Sequence, residues 1–380
     1  YYTLWISPKA VKHKKNKLLP KIALAVFATL ICLIIVEIFL QLIYGNRKPA
    51  YTVSPGGGKT YEIINEEFVH TVRTNSLNIR DHEIKEKQPG EYRILFAGDS
   101  FTFGVGVEFD EIFHTQIEET LLRNEKPVNA INLGGKRDVF WETTKAINEM
   151  KGDAMVVQIF IGNDFYDLQT ETDRTFENSK SPPILADPLS PIAKTPTGHA
   201  QPVASNSKAE KRARIRQRKI YTLQILWRNL IKIEAFDNLL FKKDLRYGGR
   251  PILLKEYPKL EQSLVERELE ILTHMHDAAK AKDVDFYVFI VPFKVQCLKA
   301  KLLDSRKYDY KKPNRILREF FAKRGVPCLD FLELYDQMEH RRVKSFYYLK
   351  DMHWTSEGHK HAAKAISQFL ADNDNQFKLK

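Results

Sequence analysis

Three short stretches of the sequence hold residue types that do acyl chemistry when brought together. They are Gly98-Asp99-Ser100 in GDSFTFG, Gly162-Asn163-Asp164, and Asp351-Met352-His353 in DMHWTSEGH. A serine hydroxyl is a weak nucleophile until a neighbouring base takes its proton. His353 can be that base, and Asp351 can hold the imidazole tautomer and stabilise its charged form. The two alternate about Met352, so in extended chain both side chains face one side. An Asn side chain at the position of Asn163 can donate to an oxyanion. Taken singly, each stretch has an ordinary explanation. Gly-Asp-Ser and Gly-Asn-Asp are common turn sequences, and a lone histidine is readily a packed or surface side chain, which is the reading given to His359 and His361.

These residues need elements to hold them in place. Near-continuous apolar runs at 93–98, 128–133, 154–162, 285–292 and 326–331 read as strands of a parallel sheet buried on both faces. Helices are expected near 110–124, 140–151, 259–281, 313–324 and 356–371. Such alternation predicts an α/β fold with right-handed crossovers. Ser100 and Asn163 then follow strands directly, at the sheet end where open parallel sheets bind ligands. Thr355 or Ser356 is placed to cap the last helix. An interruption spans about 168–258. It begins with a proline-rich part over 181–207, followed by a basic block and by Leu223, Leu226, Trp227, Leu230 and Ile231 at helical spacing.

In order and placement these stretches resemble the SGNH hydrolases, also called the GDSL-like lipase/acylhydrolase superfamily. The first block, GDSxTxG, matches Gly98 to Gly104. The Asn block matches Gly162-Asn163-Asp164, and the last block matches Asp351, His353 and Gly358. TNSLNIRDHE, at 74–83, resembles a lead-in of membrane-anchored bacterial members, so the likeness covers roughly 74–370. It implies a three-layer α/β/α flavodoxin-like parallel sheet. It also implies Ser100 as nucleophile, His353 as base and Asp351 as its orienter. The oxyanion hole would come from the Ser100 backbone N–H, a second-block glycine N–H and the Asn163 side chain, with no metal or organic cofactor. The second block departs from the pattern of Asn, four residues and Gly: after Asn132 the glycine position falls on Arg137. The candidates for that donor are the backbone N–H groups of Gly135 and Arg137, and such a donor supplies about 3–4 kcal/mol of transition-state stabilisation. Lys136 and Arg137 would bind an anionic substrate or mark a site without catalysis.

The N-terminal region sets the expected compartment. Residues 22–36 carry no charge, and the apolar run from Leu18 to Tyr44 can form a helix that crosses a bilayer, with Glu37 near one end. No small-residue cleavage pattern follows it, which favours an uncleaved anchor over a signal peptide. Six lysines and no acid occur in 1–21, so 1–17 is expected in the cytoplasm and the main domain periplasmic or extracellular. The chain begins at Tyr1 rather than Met, which leaves room for residues ahead of it. The expected organisation is a basic segment 1–17, a transmembrane helix 18–44, a tether 45–73 built around SPGGGK, an SGNH hydrolase-like domain 74–370 and a tail 371–380.

The net charge of +12 sits largely in 1–21 and in 208–219, where seven Lys/Arg accompany one Glu. With no nucleic-acid-binding signature, nucleic acid is not an expected partner. The membrane is one, and a membrane protein is a candidate partner through the transmembrane helix or the amphipathic 208–233 segment. There is no CxxC, which argues against a structural zinc site. Cys297 and Cys328 read as small buried residues or, in an oxidising compartment, as one disulfide. The functional expectation is an extracytoplasmic, membrane-anchored serine esterase or acyltransferase. The resemblance implies O-acyl groups of cell-surface glycans as its substrates. The alternative is a catalytically idle SGNH domain serving as a structural subunit of a membrane assembly.

Overall fold

The computed structural model describes residues 18–44, 51–53, 58–65, 67–135, 139–166, 230, 233, 235, 238, 239 and 251–379. The basic segment 1–17, Lys136, Arg137 and most of the 168–258 interruption, including nearly all of 208–233, lie outside the described residues. The chain divides into two compact units: Tyr1–Lys48 with Gly198–Asp237, and Pro49–Thr197 with Asn238–Lys380.

In the first unit, Leu18–Tyr44 form one helix of 27 residues, α1, about 40 Å long at 1.5 Å per residue. Leu24, Phe27, Ile34, Ile35 and Phe39 on it are exposed. Among the described residues no helix is long and apolar enough to cross a membrane. Within α1, side chains are described without a break only over 24–39.

The second unit opens with a correction to the expected tether. β1 (Tyr51–Val53), β2 (Lys59–Ile64) and β3 (Val69–Arg73) form a three-stranded antiparallel sheet, with Ile64 paired to Val69 across the turn between β2 and β3. The glycine run pointed to a loose segment, but it is short. The residues beyond it alternate: β3 buries His70 and Val72 and exposes Val69 and Arg73. Phe68 and Val72 form a small core with Phe103 and Val105, to which Tyr61, Ile63 and Tyr348 add. Each large apolar side chain buried this way contributes about 1.5–3 kcal/mol, so the small sheet is fixed against the loop that follows Ser100.

The main sheet grows from the apolar runs. β4 (Tyr92–Gly98) leads into the short helix α2 (Ser100–Phe103) and then α3 (Phe113–Thr120). The helix expected over 110–124 stops early because the chain turns at Asn124 and Glu125, both at positive φ, 50° and 64°. That is the signature of a two-residue hairpin turn, and it joins β5 (Leu121–Arg123) to β6 (Lys126–Gly134). Then come α4 (Val139–Met150), β7 (Ala154–Phe160), α5 (Lys259–Lys280), β8 (Asp285–Val291), α6 (Lys294–Leu298), α7 (Lys312–Ala322), β9 (Cys328–Asp330) and α8 (Ser356–Asn373). The expected tail contains a last strand, β10 (Phe377–Leu379), paired antiparallel to β5; buried Phe377 ties it down.

The seven strands lie in the order β10-β5-β6-β4-β7-β8-β9. The five from β6 to β9 are parallel. Numbered by their own sequence, they run 2-1-3-4-5, the flavodoxin-like order. β4 and β7 are buried at every position, as strands covered by helices on both faces must be. Helices α3 and α8 pack on each other, as do α4 and α5. The strand order reverses between β4 and β7, and Ser100 and Asn163 follow those two strands.

Candidate active site

The turn that presents Ser100 is built from backbone demands. Leaving β4, Asp99 caps α2: its carboxylate accepts from the Phe101 N–H at 2.9 Å, satisfying one of the donors a helix start leaves open. The Asp99 N–H in turn donates to Gln158 Oε1 at 3.0 Å, which also accepts from the Thr102 hydroxyl at 3.1 Å. Sequence reasoning misses Gln158, although a single polar residue inside AMVVQIF is a signal: in a buried strand it must find partners. Gly104 ends α2 at φ 83°, a left-handed conformation that favours glycine. Gly134 lets the end of β6 approach α2, since a Cβ there would lie 2.1 Å from the Phe103 nitrogen.

The segment 74–83 clamps this turn. Arg80 is 1% exposed and donates to the carbonyls of Phe103, Gly104 and Val107 at 3.0, 2.6 and 2.7 Å. Burial pushes its guanidinium down to about 10, against the pull of Glu108. Asp81 accepts from the Asn132 N–H at 2.7 Å, and burial raises it to about 6 even though this bond works the other way. Asn132 Oδ1 accepts from the Gly134 N–H at 2.8 Å. Nothing in the sequence marks Arg80 for this work, because its partners are carbonyls, which every residue has.

His353 and Asp351 sit on a tight return of the chain. Tyr347 and Trp354 pair across it, and the Tyr348 N–H donates to the His353 carbonyl at 3.2 Å. Trp354 is fully buried and anchors the return, while Thr355 caps α8. The three expected residues meet. His353 Nε2 lies 2.7 Å from Ser100 Oγ, and Nδ1 lies 2.5 Å from Asp351 Oδ1. That carboxylate oxygen also accepts from the His353 N–H at 2.9 Å. The His353 and Asp351 side chains are 15% and 22% exposed, enough for a substrate to reach the imidazole. Burial alone would raise the Asp351 pKa. The hydrogen bonds and charge of His353, with the nearby Lys294 ammonium, outweigh it and hold the carboxyl below its ordinary value.

The side expected to hold an oxyanion differs. Ser100 is the first residue of α2, where an N–H has no helical partner, and among the described residues nothing accepts it. Asn163 follows β7 in the turn whose carbonyl accepts from Tyr166. The Gly135 N–H, one of the two candidates, donates here to the carbonyls of Gly98 and Asp99, both at 3.0 Å. A sequence spacing cannot show that commitment. Arg137, the other candidate, lies outside the described residues. Its neighbour Lys136 does too.

Other expectations fall as follows. His359 is fully buried and stacked on Phe113, and burial pushes it down to about 3. His361 stacks on Phe346. Both are packing residues. Cys297 and Cys328 are free, with burial raising both thiols. Among the described residues no group of three or more His, Cys, Asp or Glu is placed to hold a metal.

Residues 254–379 match the family described as SGNH hydrolase-like domain, acetyltransferase AlgX. That segment contains Asp351 and His353 and leaves Ser100 and Asn163 outside it. No curated protein sequence matches the chain. Similar solved structures include a lipase/acylhydrolase from Enterococcus faecalis at 12% identity, covering 76% of this chain and 97% of its own, with TM-score 0.37. A GDSL-like lipase from Bacteroides thetaiotaomicron is 10% identical, with 76% and 93% covered and TM-score 0.38. A member of the lipolytic protein G-D-S-L family from Veillonella parvula is 11% identical, with 73% and 97% covered and TM-score 0.36. Over its C-terminal third the chain is thus similar to the SGNH hydrolase-like family, and the serine, histidine and aspartate of the GDS and DMH stretches meet within hydrogen-bond distance.

Proposed function

We propose that this protein is a serine esterase or O-acyltransferase working through Ser100, His353 and Asp351, and that α1 anchors it in a membrane with the catalytic domain outside the cytoplasm. The observation that carries the chemistry is the 2.7 Å contact between Ser100 Oγ and His353 Nε2, with Asp351 on the opposite ring nitrogen. Ser100 Oγ attacks the ester carbonyl carbon while His353 Nε2 takes the hydroxyl proton. The carbonyl electrons move onto oxygen, which the Ser100 N–H and the Asn163 side chain stabilise. Collapse expels the alcohol, which takes the proton back from His353, and leaves an acyl group on Ser100. Water, or the hydroxyl of an acceptor, then repeats the sequence in reverse. The matched family is described as an acetyltransferase, which supports acyl transfer beside hydrolysis; the substrates proposed are O-acyl groups of cell-surface glycans. Support for the anchor is the uncharged apolar run 22–36, whose described side chains are exposed, with lysines ahead of it. A membrane-protein partner would be met through α1 or through the 208–233 segment, whose basic and apolar residues are read from the sequence alone.

One observation favours a second reading. With the Gly135 N–H committed to backbone carbonyls, the second-block donor is missing among the described residues, as in an idle domain kept as an assembly subunit. Labelling of the full-length, detergent-solubilised chain with a fluorophosphonate probe separates the two. The enzyme labels, and Ser100→Ala abolishes labelling. A folded wild-type chain that does not label overturns the enzyme reading.

A further inference from the structure

The segment carrying Asp351 is held from two sides by fixed charges. On one side, the Glu67 carboxylate accepts from the N–H groups of Leu349, Lys350 and Asp351 at 2.8, 2.6 and 2.8 Å. On the other, the Lys294 ammonium, 3% exposed at the start of α6, donates to the carbonyls of Tyr348, Leu349 and Asp351. The side chain of Asp351 is fixed as well. One oxygen serves His353, and the other accepts from Asn65 Nδ2 at 3.0 Å. Asn65 and Glu67 belong to the turn between β2 and β3. Asn65 Oδ1 accepts from the Glu67 N–H at 2.7 Å, so one residue shapes the turn and reaches the carboxylate together.

We propose that Asn65 and Glu67, with Lys294, are positioning residues: they fix the backbone and rotamer of Asp351, and through it the orientation of His353 toward Ser100. The inference rests on the reading of Asp351 as the acid of a triad. It gives the N-terminal three-stranded sheet a function, since the polar turn between β2 and β3 completes the site. The physical case is that a carboxylate with both oxygens engaged cannot rotate away from the imidazole. A misplacement on the order of 1 Å in such a site costs about 100-fold in rate.

The two atoms of the Asn65 amide make a discriminating test. Asn65→Asp keeps the acceptor that shapes the turn and removes the donor to Asp351, setting a second carboxylate beside it. Asn65→Ala removes both. A purely structural role predicts that N65D behaves as wild type and N65A is damaged. The positioning role predicts that N65D reacts about 100-fold more slowly with a fluorophosphonate at Ser100, and at least as slowly as N65A, at near wild-type thermal stability. Glu67→Gln should slow the reaction about tenfold, and it carries the test if N65D does not fold. A second readout is independent of reactivity: in full-length chain labelled with 15N-histidine, the His353 Nδ1–H resonance, displaced downfield by the bond to Asp351, should move upfield in N65D. Wild-type reactivity together with an unmoved His353 resonance in N65D overturns the proposal. If the wild-type chain does not react at all, the enzyme reading falls, and the resonance alone still decides whether Asn65 positions Asp351.

Discussion

The two sides of Ser100 are built differently. On the base side, side chains carry the geometry: His353 is tied to Asp351, and Asp351 to Asn65. The segment beneath is held between the charges of Glu67 and Lys294. On the side where the proposed oxyanion would sit, backbone dominates. The Ser100 N–H is offered by the start of a helix, and the Gly135 N–H is spent on the carbonyls of Gly98 and Asp99. Proton transfer needs a particular tautomer in a particular rotamer, so it calls for side chains that can be locked. Oxyanion binding needs only N–H groups at the right place, so the chain path can supply it. The base side should therefore fail through single side-chain changes, and the oxyanion side should be buffered against them.

The largest effect is expected from Asp351→Asn. An amide there can donate to His353 Nδ1 and hold the proton on Nε2, where the imidazole cannot accept from Ser100. The loss should be about 10⁴-fold in the rate of ester cleavage or probe labelling, with little change in thermal stability. A loss below tenfold would mean that the base side is not what sets the rate, and the contrast between the two sides would break.

Asn163→Ala tests the side-chain donor proposed for the oxyanion side. Its loss should cost about 10²–10³ in kcat, less than the loss on the base side. The turn is braced by bonds that do not use the Asn163 side chain, from the Tyr166 N–H to the Asn163 carbonyl and from the Phe160 N–H to the Asp164 carboxylate at 2.7 Å. A rate within a few-fold of wild type would place the oxyanion against backbone donors alone and sharpen the contrast further.

The same division explains how much of the molecule was legible in the sequence. The meeting of Ser100, His353 and Asp351 was readable because the GDS and DMH stretches hold side chains whose pairing makes chemical sense; the expectation for Asn163 rests on the sequence. The parallel sheet was readable because β4 and β7 are nearly continuous apolar runs, interrupted by Arg93 in one and Gln158 in the other. The sheet formed by β1, β2 and β3 was not, since short alternating strands behind a glycine run carry a weak signal. Its polar turn was not either: Asn65 and Glu67 look like solvated turn residues until the fold brings 349–351 against them, 282 to 286 positions away. Arg80 and Gly135 act on carbonyls, and no residue type announces a carbonyl. The helix predicted over 110–124 overran because Asn124-Glu125 is not among the usual glycine-containing hairpin pairs.

Gly135→Ala has the smallest expected effect and is the sharpest test of the comparison. Gly135 sits at φ 78°, where a Cβ is strained by about 1–2 kcal/mol. The added methyl would also come within 3.0 Å of Phe103 Cδ2. Both effects act on folding, and they should appear as a lower midpoint in a denaturant melt. The rate per folded molecule should change by less than about threefold, because an N–H shared between two carbonyls is not the oxyanion's donor, and losing one donor costs about 10²–10³. The pairing of the two measurements matters more than either alone. A variant that melts earlier but reacts normally leaves Gly135 as a brace behind the nucleophile's turn. A variant that melts normally but reacts as slowly as Asn163→Ala would mean that substrate pulls the Gly135 N–H away from Gly98 and Asp99. The oxyanion side would then be assembled on binding, against a base side assembled in advance.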